Sequence, residues 1–206
     1  MKRCFFIAAM ALSLGSCGFG PAVSYKVGLS NVEAPADAKR QYGQTKIVSL
    51  EKEGKTNYRY EDDYLDVTWY VGRTQLAFGL KNKSGHSIKI PWDDVVYINV
   101  NGQSGRVMHS GVKYIDRNSS QPASVVPKGA SLNDVIIPTD NIYYVSGKYG
   151  GWRELDLFNF KIDLSNFDIS KQAVVGQSIR ILLPVVMEDV KNEYVFEFKI
   201  QDVLKQ

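Results

Sequence analysis

Cysteine and histidine are scarce in this chain, with two of each among 206 residues. Two histidines and no H-E-x-x-H pattern leave little for a zinc hydrolase to be built from. Neither sign of charge dominates: 25 Lys and Arg stand against 22 Asp and Glu, which gives no strong electrostatic draw toward nucleic acid. No run of apolar residues is long enough to cross a bilayer as a helix, since the longest, Phe5 to Leu14, would span roughly 15 Å, about half a bilayer core. Internal repeats, low-complexity tracts and blocks of like charge are also missing. What is present, at 44% hydrophobic and 12% aromatic residues, has the make-up of a globular domain with enough chain to bury a core.

The N-terminus carries the most specific signal. Lys2 and Arg3 precede the apolar stretch, and Leu14-Gly15-Ser16-Cys17 follows it, which is the layout of a secretory signal. This tetrapeptide resembles the lipobox of bacterial lipoproteins. The resemblance implies cleavage before Cys17 and acylation of its thiol and amine. Two or three acyl chains, at about 0.8 kcal/mol per buried methylene, make a stable anchor. Cys4 would leave with the signal, so the mature chain would hold Cys17 as its sole cysteine, and no disulfide or cysteine nucleophile could form. Loss of Lys2 and Arg3 would leave 23 basic against 22 acidic residues. Gly18 stands where enteric lipoproteins retained at the inner membrane carry Asp, so the resemblance implies the outer membrane.

Residues 18–44 are rich in Gly, Ala, Pro, Ser and Gln. They read as a tether reaching roughly 30 Å, with a short ordered piece around Ser24–Leu29, or in part as an edge strand. From about residue 45 the apolar period is two. Leu65, Val67, Trp69 and Val71 alternate with polar neighbours, and so do Leu76, Phe78 and Leu80 after Gly72-Arg73. Gly at the first loop position suits a two-residue type II′ hairpin. Ile88, Ile90 and Trp92 follow, and Val95–Val100 ends at Asn101-Gly102. Phe158, Phe160, Ile162 and Leu164 alternate again. The clearest pair is Ile179 to Met187 and Tyr194 to Ile200, joined through Glu188–Glu193. No window beyond the signal shows a helical stripe, and the prolines 91, 127, 138 and 184 are expected at strand ends or edges. Eight or nine short strands predict an antiparallel sandwich or barrel. The segment Phe78-Gly79-Leu80-Lys81-Asn82-Lys83-Ser84, then Ile88-Lys89-Ile90-Pro91-Trp92, resembles the strand–turn–strand of immunoglobulin-like domains in bacterial lipoproteins. The expected architecture is therefore all-β: residues 1–16 a signal peptide, 17–44 a lipidated N-terminus and tether, and 45–206 an antiparallel immunoglobulin-like β-sandwich.

Candidate chemistry is sparse. Ser110 adjoins His109, but neighbours on a strand face opposite ways. Gly102-Gln103-Ser104-Gly105-Arg106 falls short of a G-x-S-x-G elbow. The carboxylates Glu61, Asp62, Asp63 and Asp66 lack calcium-loop spacing, as does the pair Asp93-Asp94, and both read as solvated loop charge. No cofactor or metal is expected. Aromatic and basic residues gather at Tyr143, Tyr144, Tyr149, Trp152 and Arg153 among flexible glycines. They suit a sugar or a protein partner, or a loop whose Trp folds back onto the core. Ser110-Gly111-Val112-Lys113-Tyr114, with Lys128-Gly129 downstream, resembles elements of membrane-bound periplasmic lysozyme inhibitors, which implies that Ser110 and Lys128 would reach into a lysozyme cleft. The expectation is a lipid-anchored outer-membrane protein that binds an envelope partner, not nucleic acid, and does no chemistry. The alternatives are a small envelope enzyme or glycan-binding protein acting on peptidoglycan, and a lysozyme inhibitor.

Overall fold

The computed structural model describes residues 23–33, 46–52 and 55–206. The signal segment and Cys17 lie outside these residues. Fourteen strands are described: β1 (Val23–Glu33), β2 (Lys46–Lys52), β3 (Lys55–Glu61), β4 (Leu65–Val71), β5 (Leu76–Asn82), β6 (Ile88–Ile90), β7 (Val96–Ile98), β8 (Ser104–Met108), β9 (Ser124–Val126), β10 (Ser131–Pro138), β11 (Ile142–Val145), β12 (Gly151–Glu154), β13 (Ser178–Met187) and β14 (Val190–Lys205). Twelve join one antiparallel sheet, in the order β1-β14-β13-β7-β8-β10-β5-β4-β3-β2, with β6 and β9 branching from β13. β11 and β12 form a separate hairpin. The sheet is nearly closed and barrel-like: β8 and β10 are joined by only two residue pairs, and Tyr58 of β3 donates its hydroxyl to the Val27 carbonyl of β1.

The strand period explains the core. Leu65, Val67 and Trp69 of β4, Leu76, Phe78 and Leu80 of β5, and Ile179 to Val185 at alternate positions of β13 are buried. They meet Tyr194, Phe196 and Phe198 of β14, so the β3–β5 face packs on the β13–β14 face. Trp69 sits at the centre, with ring centroids 4.9 Å from Phe196, 5.0 Å from Phe78 and 5.4 Å from Phe198. A smaller cluster, Met108, Ile137 and Ile142, lies on the other face of β8 and β10, beneath the β11–β12 hairpin.

The expected antiparallel all-β fold is present, as one continuous sheet rather than two separate ones. Several local expectations change. Residues 23–33 take the edge-strand alternative rather than the tether, pairing with β14 from Val23↔Lys205 to Glu33↔Val195. The β4–β5 loop is four residues, closed by Gly72 N–H to the Gln75 carbonyl. Gly72 does not have positive φ, so the type II′ turn is not formed. Glycine fits there because a Cβ would stand 2.9 Å from that carbonyl oxygen. Trp92 leaves the strand into a 3₁₀ turn, Trp92–Asp94, after Pro91, yet stays buried. Phe158 to Leu164 forms no ladder. Phe158, Phe160 and Ile162 still pack on the core, so the alternation reported a buried face without a hydrogen-bonded neighbour. One helix, α1 (Phe167–Val174), was not foreseen. Its eight residues bury little beyond Val174, too short and polar for a visible stripe.

Pro184 lies inside β13, opposite Glu193. The two-residue turn Glu188–Asp189 makes that a non-hydrogen-bonded pair with β14. Its nitrogen therefore faces the gap between the Leu182–Val96 pairing of β7 and the Val186–Lys89 pairing of β6. The missing donor costs no ladder bond there.

Candidate functional site

The β11–β12 hairpin holds all five residues singled out for binding, and the fold divides them into an anchor and a presented face. Ile142↔Glu154, Tyr143↔Arg153, Tyr144↔Trp152 and Val145↔Gly151 set its register. Trp152 turns inward onto the Met108–Ile137–Ile142 cluster. Tyr114 and Tyr144 meet it edge-on, with centroids 6.0 and 5.4 Å away, and the Arg117 guanidinium lies 5.1 Å from its ring centre. The Trp does fold back, but onto this outer cluster and not onto the main core. Tyr143, Tyr144 and Tyr149 are exposed, at 44%, 61% and 82%, with Tyr144 beside Trp152 on one face of the hairpin and Tyr143 on the other. Arg153 reaches back to the Tyr149 and Trp152 carbonyls, which tightens the loop. The base of the hairpin is fastened by the Tyr114 hydroxyl, which donates to the Glu154 carboxylate. That hydrogen bond, with burial and the carboxylate charge, pushes the Tyr114 phenol up to about 12.

Beside this hairpin lies a groove of about 550 Å³ on the outer face of β3, β4, β5 and β10. Cross-strand register builds it. Thr68 lies opposite Gly79, which lies opposite Asn133; Tyr70 lies opposite Ala77, which lies opposite Val135. Gly79 and Ala77 form a low floor between a β4 wall and a β10 wall, and Ser110 closes one side. Val135 lines the groove and also packs on the cluster under the hairpin, so the two surfaces are continuous.

His109 and Ser110 sit at the end of β8, where Asp134 holds them. The His109 ring lies 3.1 Å from Asp134 Oδ2, while Ser110 N–H and Val135 N–H donate to Oδ1. The imidazole is stacked on Trp92 at 4.1 Å with parallel planes. Ser110 is tied in through its backbone, and its hydroxyl makes no hydrogen bond to His109, so no serine–histidine dyad is formed. His86 is exposed and pairs with Glu188 at 3.2 Å. Lys128 and Ser110 are both exposed, and neither a hydrogen bond nor an ion pair joins them among the described residues.

Three members of the carboxylate run are held by partners, and Asp63 alone is the exposed loop charge that was expected. Asp62 is buried and accepts Tyr64 N–H, Leu65 N–H and the hydroxyls of Tyr60 and Tyr194. Glu61 pairs with Lys83 at 2.7 Å, and Asp66 accepts two hydrogen bonds from Arg59. Both carboxyls are held below the ordinary range, Glu61 first by the Lys83 hydrogen bond and Asp66 first by that of Arg59. Asp93 likewise takes Ser120, Gln121 N–H and Arg106. No group of three or more His, Cys, Asp or Glu among the described residues is placed to hold a metal.

Sequence reading overlooked the groove. The signal for it was Gly79, a glycine in a strand interior whose flanking residues are both buried; such a position marks close approach of a ligand or another backbone. The three small side chains Thr68, Ala77 and Gly79 share one face only once the β4–β5 register is known.

No protein-family model matches the chain, and no curated protein matches it. It is similar to one solved structure, described as "X-ray structure of Northeast Structural Genomics Consortium target SoR45", with 10% identity over 90% of this chain and 87% of that chain and a TM-score of 0.25. No helix among the described residues is long and apolar enough to cross a membrane.

Proposed function

We propose that this protein is a non-catalytic binding module of the bacterial envelope, held at the outer membrane by lipid on Cys17, and that it engages an envelope protein through the β11–β12 hairpin. The observation that carries the reading is a hairpin anchored by Trp152 that leaves Tyr143, Tyr144 and Tyr149 exposed. Tyrosines held on a fixed backbone lose little conformational freedom when a partner covers them. An antiparallel β scaffold suits the role, since it displays loops and hairpins from a packed core. Arg117, Lys148 and Arg153 surround the aromatic face, which favours a partner surface carrying acidic groups.

The test places a photo-activated cross-linking residue at Tyr144 or Tyr149 of the full chain in cells, and at Ile169 of α1 as a control. A discrete adduct from the hairpin positions, absent from Ile169 and lost in Cys17→Ala, is the expected result. Equal adducts from all three positions, or none, overturn it. Labelled palmitate entering the intact chain but not Cys17→Ala tests the anchor separately.

The enzyme alternative draws on one observation, the convergence of His109 and Asp134 from separate strands beside a groove. Peptidoglycan turnover abolished by His109→Gln or Ser110→Ala in a folded protein would establish it. The lysozyme-inhibitor alternative requires loss of inhibition on replacing Ser110 or Lys128.

A further inference from the structure

The groove on the outer face of β3–β5 and β10 is independent of the hairpin's tyrosines and has its own chemistry. A strand interior disfavours glycine, which adds backbone freedom and packs nothing. Here Gly79 has no positive φ to account for it. Any Cβ at Gly79 would lie 2.8 Å from Asn133 Oδ1. The glycine therefore keeps the floor low and the Asn133 amide leaning over it.

The lining is mostly apolar, with a few neutral polar side chains set into it. Thr68, Asn133 and Ser110 line the groove, with Asn133 Oδ1 over Gly79, and none of their side-chain polar groups is spent on a hydrogen bond among the described residues. The one lining carboxylate, Asp134, has both oxygens committed to His109, Ser110 and Val135. Arg59, opposite Thr68, is engaged by Asp66 and Glu61, and Lys81, two residues along β5 from Gly79, is not among the lining residues. Tyr70 and Val135 add apolar walls beside Ala77. A sugar ring matches this combination, with apolar C–H faces for the floor and walls and neutral hydroxyls for the amide and hydroxyl groups. The lining itself holds no cation for an anion and no uncommitted carboxylate for a cation. The volume lies within the range of small-ligand sites.

We infer that this groove is a binding site for an uncharged oligosaccharide, laid over Gly79 and Ala77 and hydrogen-bonded by Thr68, Asn133 and Ser110.

The experiment is amide chemical-shift mapping of the full chain, titrated with chitotetraose, with maltotetraose and with tetra-alanine. The expected result is saturable shifts at Ala77, Gly79 and Asn133 with one of the sugars. Thr68→Gln, which extends a side chain over the floor, weakens the affinity about tenfold or more. Gly79→Ala, which pushes the Asn133 amide aside, does the same, and an unchanged spectrum elsewhere shows that both variants fold. Tyr149→Ala leaves the sugar affinity unchanged, which separates this site from the hairpin. Silence with both sugars, shifts outside the groove, full affinity in both variants, or preference for tetra-alanine overturns the inference.

Discussion

Tyr194 of β14 donates its hydroxyl to Asp62 Oδ2 at 3.1 Å across 132 residues of chain, deep in the core. Tyr60 donates to the same oxygen, and Tyr64 N–H and Leu65 N–H fill the other. The carboxylate thus fixes the β3–β4 turn and ties it to the last strand. Removing it strands buried donors, each costing about 1–3 kcal/mol. Asp62→Ala is expected to lose about 3 kcal/mol or more in urea unfolding, and Tyr194→Phe only about 1 kcal/mol, since Tyr60 remains. A loss under about 1 kcal/mol for Asp62→Ala would show that this junction is not needed.

That junction also marks the limit of the sequence. The alternation of Leu65, Val67 and Trp69 announced a strand face because period two follows from the backbone itself. Asp62 read as loop charge because burial of a carboxylate depends on partners from Tyr60 and Tyr194, and the latter is distant in sequence. The groove was hidden for the same reason: Thr68, Gly79 and Asn133 meet only through two ladder registers. The binding candidates Tyr144 and Trp152 were legible as a composition, but not which would be wedge and which surface. Their pairing across the ladder puts both on one face, where Trp152 lies over Met108 and Ile137 and Tyr144 packs against its edge at 61% exposure.

The hairpin should open as a unit if Trp152 is its wedge. Trp152→Ala removes the ring that Tyr114, Tyr144 and Arg117 pack against. Hydrogen exchange at β11–β12 amides is expected to rise about tenfold or more, while β13 and β14 keep their protection. Tyr149→Ala, at 82% exposure, should change stability by less than about 0.5 kcal/mol. Uniform loss of protection in Trp152→Ala would mean that the hairpin and main core are one cooperative block.

Alkaline pH should loosen the same hairpin. Glu154 raises Tyr114 from its ordinary 10.0 to about 12 in the folded chain, so the folded state holds this proton more tightly than the unfolded one. The associated stability is whole below about pH 10 and is lost as pH rises through about 12. Burial raises Tyr25, Tyr58 and Tyr97 as well, so ultraviolet titration of tyrosinate should show several late-ionising tyrosines, one of them lost in Tyr114→Phe and moved toward the ordinary value in Glu154→Gln. Identical titration curves for Glu154→Gln and the parent chain would dismiss the pairing.

The β13–β14 turn offers the opposite kind of change, a gain. Glu188 and Asp189 both adopt positive φ, 47° and 65°, as a two-residue type I′ turn demands. Glu188 is poorly suited to it, for the left-handed region crowds a Cβ against the carbonyl and costs roughly 1–2 kcal/mol, while Asp189 is among the few side chains that tolerate it, though less well than glycine. Asn-Gly is the pair this turn prefers. Glu188→Asn with Asp189→Gly should therefore stabilise the protein by about 1 kcal/mol, read as a higher urea midpoint at unchanged slope. Against this stands the His86–Glu188 contact, with side chains 61% and 66% exposed. An exposed pair contributes under about 1 kcal/mol at most, and Glu188→Gln alone measures that loss. A double variant no more stable than Glu188→Gln would show that the turn relaxes its positive φ at no cost, and that the long β13–β14 ladder alone fixes its geometry.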